Sequence, residues 1–329
     1  GSDARVDAAA TINVPGRSVA LSSLQAVWQQ QTLRLLAPAR LDFAQGGTID
    51  HLRLGLRRAV LAVNGRVSPT LDLTASLRDL PADLAAIAVP SVAASGSIAA
   101  DAHLTGSVAR PSGTIRLTGT GLRDRSGPGA SLPPANVTAT VILQGTTAPL
   151  NVRLAAGASH VALTGTAPLA TTGALDLHAD GALDLALLDP ILTAQGRRVR
   201  GHLTLAAAIA GTAAAPRVTG TARLTGGDAQ DYAQGVHITD IGALLQAEGT
   251  DLRLVRFAGR AGQGSVGASG TIGLTPPMPV DLTLTADNAT LLANPLVTAA
   301  IDAHLTARGA IDGDLAAAGT MRVRQANVQ

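Results

Sequence analysis

Polar and apolar residues alternate one for one over much of this chain. In 71–77 (LDLTASL) Leu71, Leu73, Ala75 and Leu77 fall on one face, and Asp72, Thr74 and Ser76 fall on the other. The segments 175–179 (LDLHA) and 280–286 (VDLTLTA) follow the same scheme. In 113–119 (GTIRLTG) Ile115 and Leu117 oppose Thr114, Arg116 and Thr118. A period of two predicts β-strands with one apolar and one wet face, and glycine, Asn, Asp and Pro between them predict turns. Spacing nearer 3.6 over 80–88 (LPADLAAIA) predicts one short helical turn. One wet face per strand points to antiparallel rather than buried parallel pairing.

The pattern also recurs at long range. GTIRLTG at 113–119 returns as GTARLTG at 220–226 and as GTMRVRQ at 319–325. The stretch 163–192 aligns without gaps on 268–297, with Gly165/Gly270, Asp176/Asp281 and Pro190/Pro295 as landmarks. An earlier copy spans 63–92, and DAHLTG at 101–106 is echoed by DAHLTA at 302–307. A shared offset over several landmarks marks an internal repeat. The expected organisation is a tag scar at 1–2, a partial first module at 3–95, a second at 96–200, and a third with the start of the next at 201–329. All three form one continuous elongated sheet. The motif glycine is expected to give each strand a sharp beginning, with Thr and Arg solvating its outside and the aliphatic pair paving its inside.

Composition changes what can cover the apolar faces. Aromatic residues make up 1% of the chain: Trp28, Phe43, Tyr232 and Phe257. Alanine and aliphatic residues replace them, beside 36 glycines and 17 prolines. A sandwich interdigitates large side chains across about 10 Å, and these faces have little to interdigitate. The expected fold class is therefore all-β: an elongated, repetitive, curled antiparallel sheet of β-taco type with an apolar concave groove left incompletely filled. Some twenty strands at ~4.8 Å each would extend on the order of 100 Å.

Charge and candidate chemistry remove several function classes. The formal charge is +2, every cationic side chain except histidine is arginine, and Glu248 is the single glutamate. No basic stripe with interleaved aromatics is present, so no nucleic-acid partner is expected. There is no cysteine, which leaves no disulfide framework and no thiolate metal site. His51, His103, His160, His178, His202, His237 and His304 lack metal-ligand spacing. His178, beside Asp176 and Asp180, reads as part of a solvated strand face. GQGSVG at 262–267 spells GxGxxG, but the residues after it read as a strand, whereas a dinucleotide site opens a helix. No catalytic residue, metal ligand or cofactor site is expected, and the chain is not read as an enzyme. No run reaches the ~18 apolar residues of a membrane span.

With the strands placed, 238–292 (ITDIGALLQAEGTDLRLVRFAGRAGQGSVGASGTIGLTPPMPVDLTLTADNATLL) resembles the TamB family, within the wider AsmA-like, bridge-like lipid-transfer group. Leu252, Leu254, Phe257, Gly264, Gly270, Pro279, Leu282, Leu284, Ala286 and Asn288 carry the resemblance. It implies the translocation and assembly module of a Gram-negative envelope, anchored in the inner membrane and crossing the periplasm as a long sheet with a hydrophobic groove. It further implies phospholipid transport between the two membranes, a TamA-like outer-membrane barrel as partner through a C-terminal region, and a part in autotransporter assembly and protein secretion. The chain is expected to be an internal periplasmic segment of such a protein.

Burying acyl chain is worth ~0.8 kcal/mol per CH₂ and is non-directional, so an aliphatic groove suits phospholipid acyl chains. The expected lining is Leu71, Leu73, Ile115, Leu117, Leu175, Leu177, Leu224, Leu252, Leu254, Leu282 and Leu284. The alternative is a scaffold or chaperone that templates the β-strands of outer-membrane protein clients by edge or groove contacts, without lipid cargo. Exposed edges also lead to an expectation of end-to-end self-association.

Overall fold

The computed structural model of the chain describes residues 4–29, 31–84, 94–125, 128–293 and 297–328. Twenty-one strands form an antiparallel sheet, and helix is confined to a few single turns. The all-β class expected from the alternation is what the chain adopts. By contact density it divides into two units. Unit 1 is Gly1–Ala156 with Thr164–Gly173, and unit 2 is Gly157–Leu163 with Ala174–Gln329.

In unit 1 the strands are β1 (Arg5–Asn13), β2 (Ser18–Trp28), β3 (Gln31–Ala37), β4 (Ala39–Asp42), β5 (Gly47–Leu56), β6 (Ala59–Ser68), β7 (Leu71–Pro81), β8 (Ala94–Gly106), β9 (Pro111–Asp124), β10 (Ala135–Gln144) and β11 (Thr147–Ala156). β3 and β4 are interrupted at Pro38, which has no N–H for the ladder, and both pair with β2 on one side and β5 on the other. From β5 to β11 each strand pairs with the next. β12 (Ser159–Pro168) follows.

In unit 2 the strands are β13 (Asp176–Asp184), β14 (Arg197–Gly211), β15 (Pro216–Asp231), β16 (Val236–Gly249), β17 (Asp251–Ala261), β18 (Gly264–Gly273), β19 (Pro279–Ala293), β20 (Val297–Ala310) and β21 (Leu315–Val328). Each pairs with the next. β16 and β17 also approach β19 without being bonded to it, so this sheet curls.

A helical excursion leaves β13. A 3₁₀ turn at Leu185–Leu188 begins with the Ala186 N–H donating to Asp184 Oδ1 at 2.9 Å. One α-helical turn, Asp189–Leu192, follows with Pro190 in its first turn, where its missing N–H costs nothing. A 3₁₀ turn at Thr193–Gln195 ends at Gly196 in the left-handed region. The helical turn expected over 80–88 is a 3₁₀ turn at Ala82–Leu84, and 85–88 lie outside the described residues.

The motif glycines do something other than begin a strand. Gly113, Gly220 and Gly319 lie inside β9, β15 and β21 with φ of +135°, +144° and +152°. That is extended backbone of mirror sign, open only to glycine. A Cβ there would stand 2.0, 2.2 and 2.1 Å from the carbonyl oxygens of His103, Ala206 and His304. The three sites are thus one geometry repeated, which also accounts for His103 and His304 at matching positions. Irregularities elsewhere re-aim the strands: register shifts enclose His51, Asp79, Asp240 and Asn288, each with φ near +50°.

Little of the sheet is buried. Among the described residues twelve apolar side chains are buried, seven of them alanines, and no large side chain is fully enclosed. The accessible surface is 18990 Å², whereas two compact globules of half the mass would together expose about 15,000 Å². The leucines of the strands are for the most part half-exposed.

Candidate functional site

Paired residues of an antiparallel ladder share a face, so registers trace which side chains stand together. In unit 2 one row runs Leu183–Leu203–Leu224–Ala243–Phe257–Ala268–Leu284–Leu305 across β13 to β20. The next row on that face runs Leu205–Ala222–Leu245–Leu254–Gly270–Leu282–Ala307. A third holds Ala207, Gly220, Ala247, Leu252, Ile272 and Val280. Gly220 and Gly270 therefore stand within apolar rows and contribute no side chain to them.

The curl of unit 2 encloses an apolar recess of about 240 Å³ among Ile238, Phe257, Val266, Leu284, Ile301, Leu305 and Met321. Leu284 is 36% exposed on it, although its neighbours are aliphatic. All five strands from β17 to β21 take part in these rows or this recess. Residues 255–329 match the model of the TamB C-terminal domain. Over those residues the chain is similar to the TamB family. No curated protein and no solved structure matches it. Two of the residues that carry the resemblance take special backbone geometry. Gly270 takes φ +144°, and Asn288 takes φ +46° at a bulge, where its N–H donates to Asp302 Oδ1 at 2.9 Å.

In unit 1 the same construction recurs. One row runs Leu35–Leu54–Leu61–Leu77–Ala100–Leu117–Ala139–Val152 across β3 and β5 to β11. Beside it runs Leu52–Val63–Ala75–Ala102–Ile115–Val141–Leu150, then Gly65–Leu73–Leu104–Gly113–Leu143. The sequence-derived lining thus divides between the units. Leu71, Leu73, Ile115 and Leu117 lie in unit 1, and Leu175, Leu177, Leu224, Leu252, Leu254, Leu282 and Leu284 in unit 2. Leu71 and Leu177 are buried at 8% and 9% exposure, and Leu175 precedes β13 with its N–H bonded to Gly211 at 2.8 Å. Sequence reasoning missed Ile238, Ile301, Leu305 and Met321; the recess they share is visible only once β16 and β20 are brought together by the curl.

The opposite faces are polar and wet. Arg78 holds Asp101 by two bonds of 2.7 and 2.6 Å, and Arg308 holds Asp281 at 3.2 Å. The Arg78 guanidinium keeps the Asp101 carboxyl below its ordinary range, and Arg324 with the Asn288 N–H does the same for Asp302. These pairs are exposed, so each adds little to stability. His178 and Asp176 stand 4.0 Å apart, both well exposed. Among the described residues no group of His, Asp or Glu is gathered to hold a metal ion, and GQGSVG forms a turn followed by β18. No helix among the described residues is long and apolar enough to cross a membrane.

Proposed function

We propose that the apolar face of each unit is a groove for phospholipid acyl chains, and that the chain is a periplasmic segment of a TamB-like protein moving lipid between inner and outer membrane in support of outer-membrane protein and autotransporter assembly. The observation that carries this reading is the pair of register-aligned aliphatic rows whose side chains stay half-exposed, with glycines set among them. A closed core would bury such leucines, each worth about 1.5–3 kcal/mol if fully enclosed. A face that is apolar, continuous from strand to strand and unfilled favours an apolar guest. Rows of like side chains present a methylene chain with the same surroundings at each strand, so sliding meets small barriers. Leu224→Arg and Leu282→Asp should abolish lipid transfer between donor and acceptor vesicles while circular dichroism still reports the native sheet. Unfolding of both variants would instead favour a closed core.

A second reading rests on a separate observation. Among the described strands β1 and β21 each pair on one side only, and an open edge templates incoming strands. Such a scaffold would accept client β-strands, and copies of the chain would associate end to end at high concentration. A TamA-like barrel would be the partner the family implies.

A further inference from the structure

At one margin of unit 1 a cleft of about 280 Å³ is lined by Arg57, Arg58, Asp83, Ser95, Gly96 and Arg125. Three elements supply its charge. Arg57 and Arg58 are the two-residue turn between β5 and β6, Asp83 is in the 3₁₀ turn after β7, and Arg125 follows β9. Arg57 donates to Asp83 at 2.6 Å. Arg125 acts on Asp83 only at longer range, and Asp83's close ion pair is with Arg57. The cleft is therefore lined by three cations and one carboxylate.

Two further features mark the cleft. Asp83 Oδ1 is buried with no hydrogen-bond partner, and a buried acceptor left unmade costs about 1–3 kcal/mol. The turn itself also takes a residue other than glycine at its first position, as the β2–β3 turn does at Gln29. The fully described two-residue turns at 145–146, 249–250 and 262–263 place glycine at the left-handed first position, with φ of +73°, +74° and +63°. At 57–58 arginine takes that position at φ +55°, a conformation that costs a non-glycine residue about 1–2 kcal/mol. The strained arginine is the one bonded to Asp83, and its guanidinium holds that carboxylate beside Arg58.

We propose that Arg58 and Arg125, with Arg57 held on Asp83, form a binding site for a phosphate ester. Guanidinium forks match phosphate oxygens in pairs. The site lies just beyond Leu56 and Ala59, where an apolar row of unit 1 ends. A phospholipid could thus lay its chains on the rows and its headgroup on the arginines. The site itself does not depend on the lipid-groove reading; only the lipid as its source does.

The test is calorimetric titration of the whole chain with glycerol 3-phosphate, inorganic phosphate and dihexanoylphosphatidylglycerol below its micelle concentration. Arg58→Gln combined with Arg125→Gln should weaken all three by at least about tenfold, with an unchanged circular dichroism spectrum because the Arg57–Asp83 pair is left intact. Equal affinities in wild type and the double variant would overturn the site. Tighter binding of the short-chain lipid than of the two tail-less probes would support a headgroup. Equal binding of all three would keep the site and assign it to free phosphate esters. Phosphate binding lost in the variant while lipid still co-purifies would support the site and leave the groove standing. Phosphate binding present in a wild-type chain that carries no lipid would also support the site, and would count against the groove alone.

Discussion

Each unit gathers arginines at the ends of its strands, and the two treat them differently. In unit 2 Arg197 meets Asp231 at 2.9 Å, Arg198 approaches Asp228 at 3.6 Å, and Arg200 pairs with Asp189. His237 adds a 2.7 Å bond to Asp228. The helical excursion after β13 is what delivers Asp189. In unit 1 the carboxylate lining the cleft, Asp83, is taken by Arg57. Arg58 and Arg125 share that cleft with the Arg57–Asp83 pair. The units share a strand plan, so the difference lies in the added residues: charges matched within the chain hold a corner of the sheet together, and an arginine-rich cleft is left for something outside it.

If the units are built alike, breaking the shared device should harm both alike. Gly113→Ala in unit 1 and Gly220→Ala in unit 2 each force a Cβ onto a neighbouring carbonyl, and each should cost about 2–4 kcal/mol in urea unfolding. Gly226→Ala, also at positive φ but with open space around it, should cost about 1 kcal/mol. A mild Gly113→Ala beside a severe Gly220→Ala would show that only one unit depends on the motif.

Where the units differ, substitutions should separate them. Asp189→Asn strands Arg200 in unit 2 and should lower the thermal midpoint measurably. Arg58→Gln in unit 1 should leave that midpoint within error or raise it slightly, because it relieves repulsion. Equal losses from both would erase the contrast.

The smallest effect is shared. Asp83 and Asp101 in unit 1, and Asp231 and Asp302 in unit 2, are all held below the ordinary carboxylate range. Arg57, Arg78 and Arg324 lead for Asp83, Asp101 and Asp302, and the Gln234 N–H followed by Arg197 for Asp231. Folding lowers these pKa values, so their contribution is complete above the unfolded value near pH 4 and is lost as pH falls through the folded values. Urea midpoints should be level from about pH 7 to 5 and decline below about pH 4. Asp101→Asn should flatten part of that decline, and a midpoint that rises on acidification would contradict the assignment.

Much of this was legible in the sequence because strand faces are fixed by a period of two. Leu282 and Leu284, or Ile115 and Leu117, could be put on one face before any ladder was known. The bulges could not: at Asp240 or Asn288 the period slips by a residue, and only a backbone turned to positive φ shows where. The role of Gly113 was misread because its constraint comes from the His103 carbonyl on the next strand rather than from its own neighbours in sequence. The excursion at 185–195 was hidden because LALLDPIL is apolar whether strand or helix, and its aligned copy at 290–293 is strand. Arg57 could not be singled out, since a left-handed arginine is invisible in one dimension.

The central claim is that the apolar rows are open to an apolar guest. The most direct measurement is native mass spectrometry with lipid extraction on the chain purified without detergent. The account predicts bound phospholipid, displaced in Leu224→Arg. A folded chain that carries no lipid, and gains none from vesicles, would contradict it.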